Sequence, residues 1–181
     1  MPADAAFALF LTWTCFGTWL PGDERGYVSN THLKRRGTAP KENVPGTPYT
    51  ADDRRTRMIA AAIQKWETVY LSPQQALWAA ESLVKTAVSK GSRILRGAVM
   101  SNHIHLVVVD CPDGEVVRRI LKETSQAYLS EKVGHSQKWW TSGGSDRYRL
   151  SHDSIETTPR YVAHQIGKLA EIVDNQAFAC T

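Results

Sequence analysis

The sequence predicts an α+β chain: an antiparallel sheet of the ferredoxin-like, split βαβ kind, with one further helix near the C-terminus. Three observations predict it. Apolar runs at 6–15, 93–100 and 104–109 are strand-length and bounded by turn residues. Two helices with clear start or stop signals, 72–91 and 113–132, fall after the first and third of those runs. With the excursion at about 20–70 set aside, the order reads strand, helix, strand, strand, helix, strand, helix.

Each element has its own reason. "AFALFLTWTC", residues 6–15, is apolar and aromatic and reads as a buried strand. Pro21–Gly22 and Gly26 carry turn chemistry. Residues 30–50 are polar, with Pro40, Pro45 and Pro48 and a basic cluster of His32, Lys34, Arg35 and Arg36. The ordinary reading of that cluster is a solvated excursion; the sharper one is a loop over phosphates. An acidic Asp52–Asp53 turn opens a helix over 51–66, and "TVYLS" reads as a short strand. In the helix 72–91, Ser72 is N-cap, Pro73 is N1, and Leu77, Ala80, Leu83, Val84 and Ala87 form the apolar stripe, with Gly91 as the stop. Ser101–Asn102 separates the strands 93–100 and 104–109. The helix 113–132 puts Val116, Val117, Ile120 and Leu121 on one side. A Gly/Ser-rich loop then leads to a short strand near Tyr148–Ser151, and a last helix is predicted over about 155–173.

The 181 residues predict a single domain, 1–181, with enough chain to bury a core. Net charge is +4, which suits a polyanionic partner but is common among plain soluble proteins. Cys15, Cys111 and Cys180 are scattered and form no CxxC, so neither a disulfide framework nor a cysteine zinc site is indicated, and a cytoplasmic setting is expected. The apolar start lacks a basic n-region and reads as a strand rather than a signal peptide, and no run has the length of a membrane span.

"MSNHIHLVVVD", residues 100–110, carries the chemistry. Alternate residues of a strand share a face, so His103 and His105 project together, with Ile104, Leu106 and Val108 on the other side. The strand is apolar on both faces beyond the histidines, as in a central strand covered by helices. Two imidazoles so spaced can clamp one divalent ion. An isolated His-x-His is short and common, and alone it reads as two partly buried histidines. A third ligand and a nucleophile change that reading, and "RYVAHQIGK" offers both: Tyr161 and Gln165 lie four apart, on one face if the segment is helical. A Gln oxygen suits a hard cation, and a tyrosine hydroxyl can attack a phosphodiester.

With His-hydrophobic-His on a strand and Tyr-x-x-x-Gln on a C-terminal helix, the sequence resembles the single-tyrosine HUH transposases and their relatives, the REP-associated tyrosine transposases. "LTWTCFGTWLPGDERGYV" is similar to the family's opening strand and loop, and "AVMSNHIHLVVV" to its "MPNHVHLLV" signature, with Ser101 where proline is usual. "WWTSGGSDRYRL" resembles the passage before its last strand, and "RYVAHQ" its tyrosine helix; Tyr161 follows His105 by 56 residues, a spacing of the family's order. The resemblance implies a ferredoxin-like fold and a divalent metal, Mg²⁺ or Mn²⁺, held by His103, His105 and Gln165. It further implies that Tyr161 attacks single-stranded DNA, leaving a 5′-phosphotyrosine bond and a free 3′-hydroxyl. Targets are hairpins. Members are commonly homodimers, and in some the tyrosine of one subunit serves the metal site of the other. An inactive or domesticated hairpin-binding copy is the alternative.

Pro159 leaves two readings of the last helix: it interrupts a helix begun at Ser154, or it is N1 after a Thr158 cap. For DNA contact, the candidates are Arg118, Arg119 and Lys122 on the second long helix, Arg147 and Arg149 around Tyr148, and Trp140 as a base-stacking surface; the ordinary readings are a solvated face for the helix residues and packing against the sheet for at least one of Trp139 and Trp140. The strand 104–109 has no Phe, Tyr or Trp, which argues against an RRM-type surface. No GxxxxGK[ST] accompanies the domain, as a helicase-linked relaxase would require.

Overall fold

The computed structural model describes residues 7–25, 32–33, 37–38, 53–111 and 113–180. The described chain divides into two compact units, one of residues up to 16 and from 69 onward, the other of 17–68.

The larger unit holds a six-stranded sheet. β1 (Ala8–Thr14), β4 (Arg93–Met100), β5 (His103–Val109), β6 (Ser145–Arg149), β7 (Lys168–Val173) and β8 (Gln176–Ala179) lie in the order β6-β1-β5-β4-β7-β8. Every pairing is antiparallel. The first four strands with α2 (Pro73–Ser89) and α3 (Gly114–Val133) form the split βαβ arrangement expected from the order of elements. One sheet face, with Leu9, Leu11, Trp13, Ile104, Leu106 and Val108, packs against Ala79, Leu83 and Leu121 of the two helices. The opposite face, with Ala8, Phe10, Val107, Val109, Ala98 and Met100, is covered by Ile155 and Val162 of α4 (His152–Ala163). Among the described residues, no helix is long and apolar enough to cross a membrane.

Caps behave as their sequences dictate. Ser72 and Gln75 form a reciprocal capping box ahead of α2, and Pro73 occupies its first turn. Asp113 caps α3 by accepting from the Val116 N–H at 2.8 Å, and Gly134 ends it in the left-handed region.

The last third of the chain departs from expectation. α4 begins after Ser151, runs through Pro159 and stops at Ala163. Of the two readings, the first holds: the helix begins two residues before Ser154, with Ser151 as its cap, and Pro159 is interior, so it has no N–H to give the Ile155 carbonyl. Thr158 instead sends its hydroxyl to the Ser154 carbonyl at 2.6 Å. Residues 168–179 are not helix but the hairpin β7–β8, turned by Asp174 and Asn175, both at positive φ. "TVYLS" forms no strand; Val69 and Leu71 donate singly to the carbonyls of Phe16 and Ser101.

The unit 17–68 contains α1 (Arg54–Ala62), capped by Asp53, and a two-stranded ladder of β2 (His32–Leu33) with β3 (Gly37–Thr38). Asp23 is buried in a bidentate pair with Arg25, which holds its carboxyl down at about 2. Lys34, Arg35, Arg36 and the three prolines of the basic excursion lie outside the described residues.

Candidate metal and tyrosine site

β5 is a central strand, and the register fixes what its histidines face. His105 stands opposite Thr12 of β1 on one side and Ala98 of β4 on the other; His103 stands opposite Thr14. The alternation read from the sequence holds: Ile104, Leu106 and Val108 enter the core under α2 and α3, and the histidines take the α4 face. The turn between β4 and β5 is tied down by the Cys15 N–H, which donates to the Asn102 carbonyl at 2.8 Å.

The imidazole centroids are 4.7 Å apart and nearly perpendicular. His103 Nδ1 lies 2.7 Å from Asn102 Oδ1; that oxygen can only accept, so Nδ1 carries the proton and the ligating lone pair falls on Nε2. Asn102, read from sequence only as a turn residue, thus sets the tautomer of a candidate ligand. His105 is mostly buried. Burial, reinforced by the neighbouring His103, pushes its pKa down to about 4, so the ring is neutral at physiological pH, the form that binds metals. Its Nδ1 is buried and has no hydrogen-bond partner among the described residues. A neutral imidazole beside a second one whose lone pair falls on Nε2 is a donor pair that suits a divalent cation.

α4 brings Tyr161 to this place. Its ring centroid is 6.0 Å from that of His105, and its side chain is 54% exposed, open to a large substrate. Gln165 does not share a helix face with it. The helix has ended, His164 is its C-cap, and Gln165 lies beyond, with its amide nitrogen donating to the Tyr161 carbonyl at 3.3 Å. The structure therefore assembles three of the four expected site residues and places the fourth on the backbone of the third.

Phe10 was missed. Its ring stacks on His105 at 5.5 Å and meets Tyr161 edge-on at 6.0 Å. The run of 6–15 marks it only as apolar; its neighbours follow from strand register, which the residue pattern does not state.

The basic candidates separate into two groups. Arg147 and Arg149 stand opposite Phe10 and Ala8, on the histidine-bearing face. Arg149 holds its guanidinium 5.4 Å from the Phe10 centroid, with Nε buried and without a hydrogen-bond partner among the described residues. Arg118, Arg119 and Lys122 line a cavity of about 270 Å³ with Lys138, between α3 and the loop after Trp140. Arg118 pairs with Asp146 and Arg119 with Glu123, both at 3.4 Å, and Lys122 donates to the carbonyls of Thr141 and Gly143. Trp140 offers no stacking surface. It is 3% exposed, packs edge-on against Trp13 and donates its indole N–H to Ser125 at 3.1 Å. Tyr148 turns to the other face, where its hydroxyl accepts from the Gly114 N–H at 3.1 Å.

No protein family model matches the chain, and no curated protein matches it. Among solved structures, it is similar to a REP-associated tyrosine transposase bound to a REP hairpin, at 10% identity and a TM-score of 0.44; the superposition covers 88% of this chain and 66% of that one, so the chain spans just under two thirds of that protein's length.

Proposed function

We propose that this chain is a DNA strand transferase that cleaves and rejoins single-stranded or hairpin DNA through Tyr161, with a divalent cation held by His103 and His105. The observation that carries this reading is the convergence of two imidazoles from β5 and a phenol from α4, groups far apart in sequence, on the α4 side of the sheet. The resemblance of the sequence to single-tyrosine HUH transposases agrees with it.

A bound cation would supply Lewis-acid polarisation of the scissile phosphate's oxygens. The chain's own groups do the rest. The Tyr161 oxygen forms a bond to phosphorus, the bond from phosphorus to the 3′-oxygen breaks, the phenolic proton passes to solvent, and the departing oxygen takes up a proton to become a 3′-hydroxyl. The phosphodiester energy stays in the phosphotyrosine bond, so a second 3′-hydroxyl can reverse the step without a nucleotide cofactor. Arg147 and Arg149 border the site and suit the strand's phosphates; Arg118, Arg119 and Lys122 line a second basic surface on α3. Association into a homodimer, implied by the resemblance, is checked by analytical ultracentrifugation.

The test is incubation of the full chain with end-labelled hairpin DNA and Mn²⁺, resolved by denaturing electrophoresis. A covalent adduct is expected, absent with Tyr161→Phe and with His105→Ala. The position of Gln165, donating to the Tyr161 backbone, favours one other reading: a hairpin-binding protein that no longer cuts. That reading predicts a mobility shift on native gels and intact DNA on denaturing ones.

A further inference from the structure

Phe10 stands where three chemically active side chains meet. β1 runs between β6 and β5, so its ring has Arg149 on one flanking strand and His105 on the other, while α4 lowers Tyr161 from above. The His105 ring lies nearly parallel to it, at 15°, and the Tyr161 ring nearly perpendicular, at 87°.

A metal-ligating histidine is ordinarily oriented by a hydrogen bond from its second ring nitrogen to a carboxylate or carbonyl. His103 has such a contact in Asn102. His105 does not: its Nδ1 is buried with no partner among the described residues. Among the described residues no hydrogen bond at Nδ1 fixes the plane of that ring, and the parallel face of Phe10 is the group placed to do so. The same ring limits Tyr161. An exposed tyrosine would otherwise sample several rotamers and reach the phosphorus only part of the time.

Resting on the reading of Tyr161 and the histidines given above, we propose that Phe10 is a positioning residue: its flat ring sets the plane of the His105 imidazole and the approach of the Tyr161 phenol. Phe10→Leu keeps an apolar side chain and removes the flat face, whereas Phe10→Tyr keeps the face. Both are compared with the wild-type chain by thermal melting, by hairpin affinity in EDTA, by Mn²⁺ affinity from electron paramagnetic resonance, and by the single-turnover rate of adduct formation at saturating DNA. The leucine variant is expected to melt cooperatively and to bind the hairpin like the wild type. It should lose about 10–100-fold in Mn²⁺ affinity and in single-turnover rate, the cost typical of removing a group that orients a ligand. The tyrosine variant should recover both. A leucine variant with unchanged rate and Mn²⁺ affinity, or a tyrosine variant as impaired as leucine, overturns the proposal.

A nuclear magnetic resonance measurement on the metal-free chain separates this proposal from the function it rests on. Contacts between the ring protons of His105 and Tyr161 should be present in the wild type and lost in Phe10→Leu. If the wild-type chain forms no adduct, the transferase reading falls, while the ring contacts still decide the role of Phe10: contacts that persist in the leucine variant overturn it.

Discussion

Lys122 holds its ammonium group against the carbonyls of Thr141 and Gly143, and its surroundings disfavour the charge. Burial, with Arg118 and Lys138 nearby, pulls its pKa down to about 8. Between that value and its ordinary 10.5, the unfolded chain binds more protons at this position than the folded one, so Lys122 adds stability as pH rises through the window. Below about pH 8 both forms are protonated, and its contribution to the slope vanishes. The melting-temperature difference between the wild type and Lys122→Met should therefore be flat from pH 6 to 7.5 and move in favour of the wild type from pH 8 to 10, measured by circular dichroism. Single residues were unevenly legible. Strand alternation alone places His103 beside His105, because that geometry is local. Trp140 misled for the opposite reason: a tryptophan beside a Gly/Ser loop looks exposed, and only the fold brings Ser125 of α3 to its indole N–H.

Helices with strong end signals were read to within a residue or two, because a cap is written in adjacent positions: α2 and α3 are the cases. The β7–β8 hairpin was not, although its turn is also local. Asp174 and Asn175 both sit at positive φ, the pattern of a two-residue hairpin, and Gly167 marks a break after α4. The apolar residues Val162, Ile166 and Leu169 lie at helical spacing and hid that signal. In the structure Ile166 is 96% exposed, which a continuing helix with an apolar face would not leave. Asn175 has a second task, accepting from the Ile94 N–H at 2.8 Å across to β4. Asn175→Ala should cost about 1–3 kcal/mol, from left-handed strain and an unsatisfied donor, while Asn175→Gly should cost less, since glycine accepts the turn. Urea denaturation of both variants checks the order.

At the level of the whole molecule, the order of elements was enough to anticipate the four-strand heart of the sheet, since split βαβ topology admits few arrangements. It did not reveal that two more strands extend the sheet past β4, nor that α4 covers one face while α2 and α3 cover the other. Registers and faces depend on pairings between distant segments. The site was half legible for that reason: His103, His105 and Tyr161 came from motifs, while Phe10 and the displacement of Gln165 came only from tertiary structure.

The helix bearing Tyr161 has a strand at each end. β6 lies on one side of β5 and β7 on the other, with Leu150 and Ser151 joining at the near end and residues 164–167 at the far end. α4 is thus a bridge moored on both banks, and lending its phenol to a neighbouring copy would mean pulling β7 away from β4. If the proposed function holds, a mixture of Tyr161→Phe and His105→Ala chains should accordingly give no adduct on labelled hairpin DNA, because each molecule would have to supply its own nucleophile to its own histidines.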